Sequence, residues 1–170
     1  MASHSTTSPH QKLKSTFTRF IHGPIDATTH KNPSLVSSVL SSDCLRFIAP
    51  ASFLASIGAP PDFAFDVATW EAQYANEAGF IGTKSVDITH LVVDPETKTG
   101  AARTVYIDDL NLANGEKEEV RLDVSWFVSF SEDGEKITKV TEVLDGLVFV
   151  DVHRRIKELK EESEAKAKGA

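Results

Sequence analysis

The sequence predicts an α+β domain in which one strongly curved sheet, mixed or antiparallel, wraps around three helices, with a further helix at the C-terminus. The first observation behind this is the stretch Glu119–Val150, where two β-rich runs flank the turn Asp133-Gly134, a strong short-range hairpin signal. In the first run Val120, Leu122, Val124, Trp126, Val128 and Phe130 share one face, because strand side chains alternate with period two. Arg121, Asp123, Ser125, Phe127 and Ser129 share the other. The second observation is order: three helical patterns come first, and long strands follow. Three helices do not sandwich such a sheet evenly, but they fill the concave side of a bent one.

Residues 1–9 are Ser/Thr-rich and expected to be disordered. From Pro9, Leu13, Phe17, Phe20 and Ile21 recur at helical spacing, and Gly23-Pro24 is expected to stop that helix. Asn32-Pro33 reads as a helix start, with Leu35, Val36, Val39 and Leu40 as its apolar face and Ser41-Ser42-Asp43 as its end. Cys44–Ala49 reads as a short strand. Residues 50–62 are more apolar than a solvated connection and are expected to cover something. Asp66 caps a helix with Val67, Trp70 and Tyr74 on one side, ending near Gly79. Strands are expected over Lys84–Val93 and Ala101–Leu110, with a hairpin turn at Asn114-Gly115 leading into the final hairpin, whose second strand runs to Val150. A helix follows, and 156–170 reads as a charged, fraying helical tail. Residues 10–155 form one domain on this reading.

The bulk numbers exclude several partner classes. The 170 residues suit one domain with its own core. A net charge of −7 without a basic stripe argues against nucleic acid and against an anionic membrane surface. The single cysteine, Cys44, cannot form an internal disulfide, and no Cys/His spacing suits zinc. No apolar run approaches the roughly 20 residues that span a bilayer, and the N-terminus has no signal-peptide core. A cytoplasmic protein is the default expectation. No glycine-rich phosphate loop or dinucleotide fingerprint occurs, so no cofactor and no metal are expected.

Four segments together resemble the NTF2-like, or SnoaL-like, superfamily, above all its small fungal members of secondary metabolism. They are Asp43-Cys44-Leu45-Arg46-Phe47-Ile48-Ala49-Pro50, the loop with Gly58-Ala59-Pro60-Pro61, the helix from Trp70 to Tyr74, and Phe130 through Asp145. The resemblance covers about residues 10 to 155. It implies an NTF2-like cone with a pocket at its open end, and homodimers through the outer face of the sheet. It also implies a carboxylate general acid or base on the last long strand, matched by Glu142, and an oxygen-binding arginine on the first short strand, matched by Arg46. Relatives often place phenols on the pocket face of the penultimate strand. Here that face offers Val120 and Val124 instead.

Read residue by residue, Glu142 is the position to explain. Val140, Glu142 and Leu144 share a face, and the turn sets it beside the apolar face of the first run, which places one acid on a greasy surface. A carboxyl group there suits proton transfer in an isomerisation, cyclisation or dehydration. Its other readings are a strand-end residue that swings to solvent and a structural partner for Arg46. Arg46, always charged, either clamps a substrate oxygen or lies at a surface. Trp126, on the same face as Glu142, and Trp70 with Tyr74 read as pocket wall or as core, and Val124 and Leu144 as the apolar floor. His90 shares parity with Val86 and Ile88, which points it inward, either to substrate or as a satisfied core histidine. Tyr106 and Asp108 share a parity opposite Arg103, Val105 and Ile107, and the apolar alternation argues that they face outward. Asp145 reads as a turn or dimer contact.

Two functions from different classes remain open. One is a cofactor-independent isomerase, cyclase or lyase acting on a small hydrophobic, oxygenated metabolite of natural-product biosynthesis. The other is a non-catalytic dimeric binding module of the same fold. An open pocket favours the first, and a closed core with Glu142 paired to a neighbour favours the second. The half-polar face carrying Phe127 suits a two-fold interface. Light scattering at micromolar concentration is expected to give a dimer, and a monomer contradicts it.

Overall fold

The computed structural model describes residues 8–169. The disorder expected over residues 1–7 lies outside them, as does Ala170, while Ser8 and Pro9 already begin a helix. In chain order the elements are α1 (Pro9–His30), a 3-10 turn (Pro33–Ser37), β1 (Leu40–Ala49), α2 (Ala51–Ser56), β2 (Ala64–Asp66), α3 (Val67–Glu77), β3 (Ile81–Asp94), β4 (Thr99–Asn111), β5 (Lys117–Phe130), β6 (Ile137–Leu144) and α4 (Gly146–Gly169). The strands form one sheet in the order β2-β1-β6-β5-β4-β3. All neighbours are antiparallel except β1 and β6, which are parallel, so the sheet is mixed.

Helix α1 starts on a reciprocal cap. Ser8 Oγ accepts from the Gln11 amide and the Gln11 side chain accepts from the Ser8 amide. Leu13, Phe17, Phe20 and Ile21 are buried at the expected spacing. The expected stop at Gly23-Pro24 does not occur, and α1 carries Pro24 inside it and continues to His30. An interior proline costs about 3 kcal/mol, an amount that tertiary contacts here offset. Tyr106 Oη donates to the Ile21 carbonyl at 2.9 Å, and Tyr74 Oη donates to the Pro24 carbonyl at 2.9 Å. Two phenols therefore hold the helix at its proline and three residues before it.

The segment after Asn32 is a single 3-10 turn rather than a longer helix. Asn32 Oδ1 does cap it, accepting from Ser34 at 3.2 Å. The chain is drawn into the sheet earlier than its sequence suggests, because the Val39 carbonyl accepts from Ile137 at 2.9 Å. Leu40 through Asp43 are consequently strand. The apolar connection contains α2, and its Phe53 and Leu54 are buried in the core, as its composition implied. Short strand β2, unforeseen, pairs with β1 through Arg46↔Phe65.

The final hairpin has the expected register, with Val124↔Leu144, Trp126↔Glu142 and Val128↔Val140 facing one another. Its second strand ends at Leu144 rather than at Val150. Asp145 Oδ1 accepts from the amides of Leu147 and Val148 at 3.1 and 3.3 Å, which caps α4 and turns Leu147–Val150 into helix despite their β-branched content. Burial of Val152 and Ile156 against Leu110 then holds α4 on the sheet. No helix among the described residues is long and apolar enough to cross a membrane.

The turn glycines give a direct test of this packing. Gly115 has φ +86 with open space beside it, and Gly134 has φ +71 with the core residue Leu13 within 2.7 Å of where a Cβ would lie. Gly115→Ala is expected to cost about 1 kcal/mol in urea unfolding from backbone conformation alone. Gly134→Ala should cost distinctly more, because Leu13 must also move within a packed core.

Candidate active site

The concave side of the sheet is not completely filled. A cavity of about 160 Å³ lies between α3, α4 and the inner faces of β1, β4, β5 and β6. That is room for a group about the size of one aromatic ring. Its wall is mostly apolar, with Ile48, Leu122, Val124, Leu144, Phe149 and Trp126 among the lining residues.

Arg46 and Glu142 meet in this wall. The burial pattern of β1 turns Cys44, Arg46 and Ile48 inward, and β6 turns Val140, Glu142 and Leu144 inward. The parallel register sets Ile48 beside Glu142, with Arg46 one step along the same face. Arg46 Nη2 donates to Glu142 Oε2 in a buried ion pair, the two residues being 7% and 3% exposed. The guanidinium lies 3.4 Å from the Trp70 ring centroid and 5.4 Å from that of Trp126, a stacking that Arg favours for its planar, weakly hydrated head. Trp126 is itself fixed, donating from Nε1 to Thr104 Oγ1 at 2.9 Å.

The pair leaves capacity unspent. Arg46 Nε is buried without a hydrogen-bond partner among the described residues. Glu142 is bonded through Oε2, and Oε1 takes no hydrogen bond from the described residues. One N–H donor and one carboxylate oxygen of the pair are thus left without a partner among the described residues, in a mostly apolar wall.

The remaining expected positions divide. Trp70, Tyr74, Val124, Trp126 and Leu144 all line the cavity. His90 does not: it is exposed, outside the lining. A register shift between Ile88 and His90 reverses the parity, so Val86 and Ile88 pack on the core, Leu91 and Val93 continue inward, and His90 turns out. Tyr106 and Asp108 face inward, against the expectation from apolar alternation, and both line the cavity. Strand β4 is apolar on both faces, with Val105 buried on the opposite side, so its alternation carried no directional signal. Burial holds the Tyr106 phenol protonated, far above its usual range. Burial also pushes the Asp108 carboxyl up, opposed by Thr83 and reinforced by Asp109. The sequence reading passed over His153 and Glu77 as site residues, and both line the cavity. Cys44 is buried and its thiol is pushed up to about 11 by burial first and Asp43 second, against Arg46, so it stays a neutral thiol at neutral pH.

No family model matches the sequence, and no curated protein matches it. Solved structures do. The BvnE pinacolase from Penicillium brevicompactum superposes with a TM-score of 0.68 at 16% identity, covering 91% of this chain and 97% of its own. PrhC from Penicillium brasilianum gives 0.63 at 13% identity, covering 89% of this chain and 91% of its own. A Xanthomonas campestris protein assigned as a polyketide cyclase gives 0.57 at 13% identity, over 81% and 93% of the two chains. The chain has the NTF2-like, or SnoaL-like, fold. Identities this low carry the architecture alone, whereas the named activities belong to those proteins.

The ion pair makes a stability prediction. Arg46→Ala or Glu142→Ala leaves a buried charge alone and is expected to cost about 3–5 kcal/mol in denaturant unfolding. The double variant Arg46→Met/Glu142→Leu is expected to recover most of that loss.

Proposed function

We propose that the chain is a cofactor-independent enzyme of isomerase, cyclase or dehydratase type, acting on a hydrophobic, oxygenated small molecule of natural-product biosynthesis. The observation that carries this is the unspent Arg46 Nε–H beside the Glu142 carboxylate in a mostly apolar cavity. Glu142 takes a proton from a carbon next to a carbonyl. The negative charge that grows on the carbonyl oxygen faces the guanidinium N–H, a donor already oriented by its stack on Trp70. The proton on Glu142 then returns to a different carbon, which is an isomerisation, or to a departing hydroxyl, which releases water. Trp126, Trp70 and Leu144 hold the skeleton against these groups. Solved structures of this fold that are named for isomerases, cyclases and a pinacolase support the general kind of activity.

One observation favours the second reading, a non-catalytic binding module. Glu142 is paired with Arg46 rather than free, as a structural ion pair would be. Either reading is compatible with a homodimer, which we place on the outer sheet face. There Val92, Ala101, Phe127, Thr141 and Phe47 form one row across five strands, with Val92 and Phe127 65% and 52% exposed.

Incubation with a metabolite extract from the source organism, followed by mass spectrometry, separates the two. The enzyme reading expects an isobaric or water-loss product, formed about 10²–10⁴-fold more slowly by Glu142→Gln. Equal conversion by that variant removes Glu142 from the chemistry, and a metabolite bound but unchanged supports the module.

A further inference from the structure

The cavity has a second polar end, built around a histidine on α4. Helix α3 runs along one wall: Trp70 covers Arg46, and Glu77 lies seven residues later, about 10 Å further along the helix. Opposite Glu77 stands His153. Its Nδ1 lies 2.9 Å from the Phe149 carbonyl, which can only accept, so in the neutral ring Nδ1 carries the proton and Nε2 presents a lone pair. The ring stacks on Phe149 with centroids 3.8 Å apart, which fixes its plane. Nε2 is a buried atom with no hydrogen-bond partner among the described residues. Glu77 Oε1 is 3.7 Å away, beyond hydrogen-bond distance. Asp108 Oδ1, in the lining of the same cavity, is likewise buried and without a partner.

Buried acceptors without a proton donor are rare in folded proteins, and one within a cavity is satisfied by whatever fills it. The lining also includes the apolar Leu122, Val124, Val152 and Ile156. Arg46 offers a donor beside the Glu142 carboxylate, and His153 offers an acceptor. A ligand complementary to both has a carbonyl at one end of an apolar skeleton and a hydroxyl at the other.

We propose that His153 is a specificity-determining residue of this site, its Nε2 accepting a hydrogen bond from a ligand hydroxyl distinct from the oxygen held by Arg46. The substrate class is thereby narrowed to skeletons oxygenated at both ends. This rests on the cavity being the substrate site, as proposed above.

Two rigid one-ring probes test it by calorimetry: 4-hydroxyacetophenone and 4-methoxyacetophenone. The wild-type protein is expected to bind the hydroxyl compound about tenfold more tightly, because the methoxy oxygen meets an acceptor with an acceptor. His153→Phe keeps the stack on Phe149 and removes the acceptor, so the ratio should fall to near one, and His153→Gln, whose amide oxygen accepts, should restore most of it. A wild-type ratio of one, or an unchanged ratio in His153→Phe, overturns the proposal. A histidine that merely ties α4 to α3 through Glu77 would lower the Tm of both variants and leave the ratio intact, which also overturns it. Failure of both probes to bind the wild-type protein removes the cavity reading itself, and is thereby distinguished from failure of the His153 assignment.

Discussion

The buried pair of Arg46 and Glu142 constrains this fold more than any other contact. Taking two charges out of water carries a penalty of several kcal/mol for each ion, and the mutual attraction offsets it when geometry and surrounding hydrogen bonds are good. That geometry needs β1 and β6 in parallel register, so that two inward-facing positions fall one step apart on the same face. It also needs α3 placed so that Trp70 lies flat on the guanidinium. The indole faces supply a favourable surface for the cation where water is excluded. A one-residue slip of β6 would turn Glu142 outward and strand Arg46 in an apolar wall.

The same arrangement explains why the concave side stays partly open. Filling the space with large aliphatic side chains would leave the ion pair with no room for its stacked indoles. The cavity is instead framed by aromatics held in fixed orientations by hydrogen bonds: Trp126 on Thr104, Tyr106 on Ile21, Tyr74 on Pro24. The two phenols have a structural duty, clamping α1 across its proline, while their rings form cavity wall. Structural support and site wall are here the same side chains, so the cavity keeps its shape without a ligand.

Fold and chemistry separate in this protein. The NTF2-like cone hosts many activities, and similarity at 13–16% identity reaches the architecture only. This chain carries a polarity pattern in its mostly apolar cavity: a donor and a carboxylate oxygen at Arg46 and Glu142, and an unpaired acceptor at His153. Such a pattern is a statement about ligand chemistry, because each buried polar group is complete only when its complement is bound.

Local regularities were enough for much of the chain. The period-two alternation of Val120–Phe130 and the Asp133-Gly134 turn determined the final hairpin, its register, and the inward face of Glu142, because a one-residue slip would expose the whole apolar face. Helical spacing at Leu13, Phe17, Phe20 and Ile21 determined α1 and its buried side, and the apolar loop announced that it covers the core. Tertiary contacts decided the rest. Pro24 did not end α1, because phenols from α3 and β4 hold the helix at Pro24 and Ile21. The Leu147–Val150 run became helix rather than strand, because Asp145 caps it and Val152 and Ile156 find a core. The irregularity after Ile88 turned His90 out, and both faces of β4 are apolar, so neither His90 nor Asp108 could be oriented by parity. His153 became a site residue only when α4 folded back beside Glu77. Periodicity reports which face of one element is buried; which elements meet across a cavity depends on long-range packing, and no local pattern contains it.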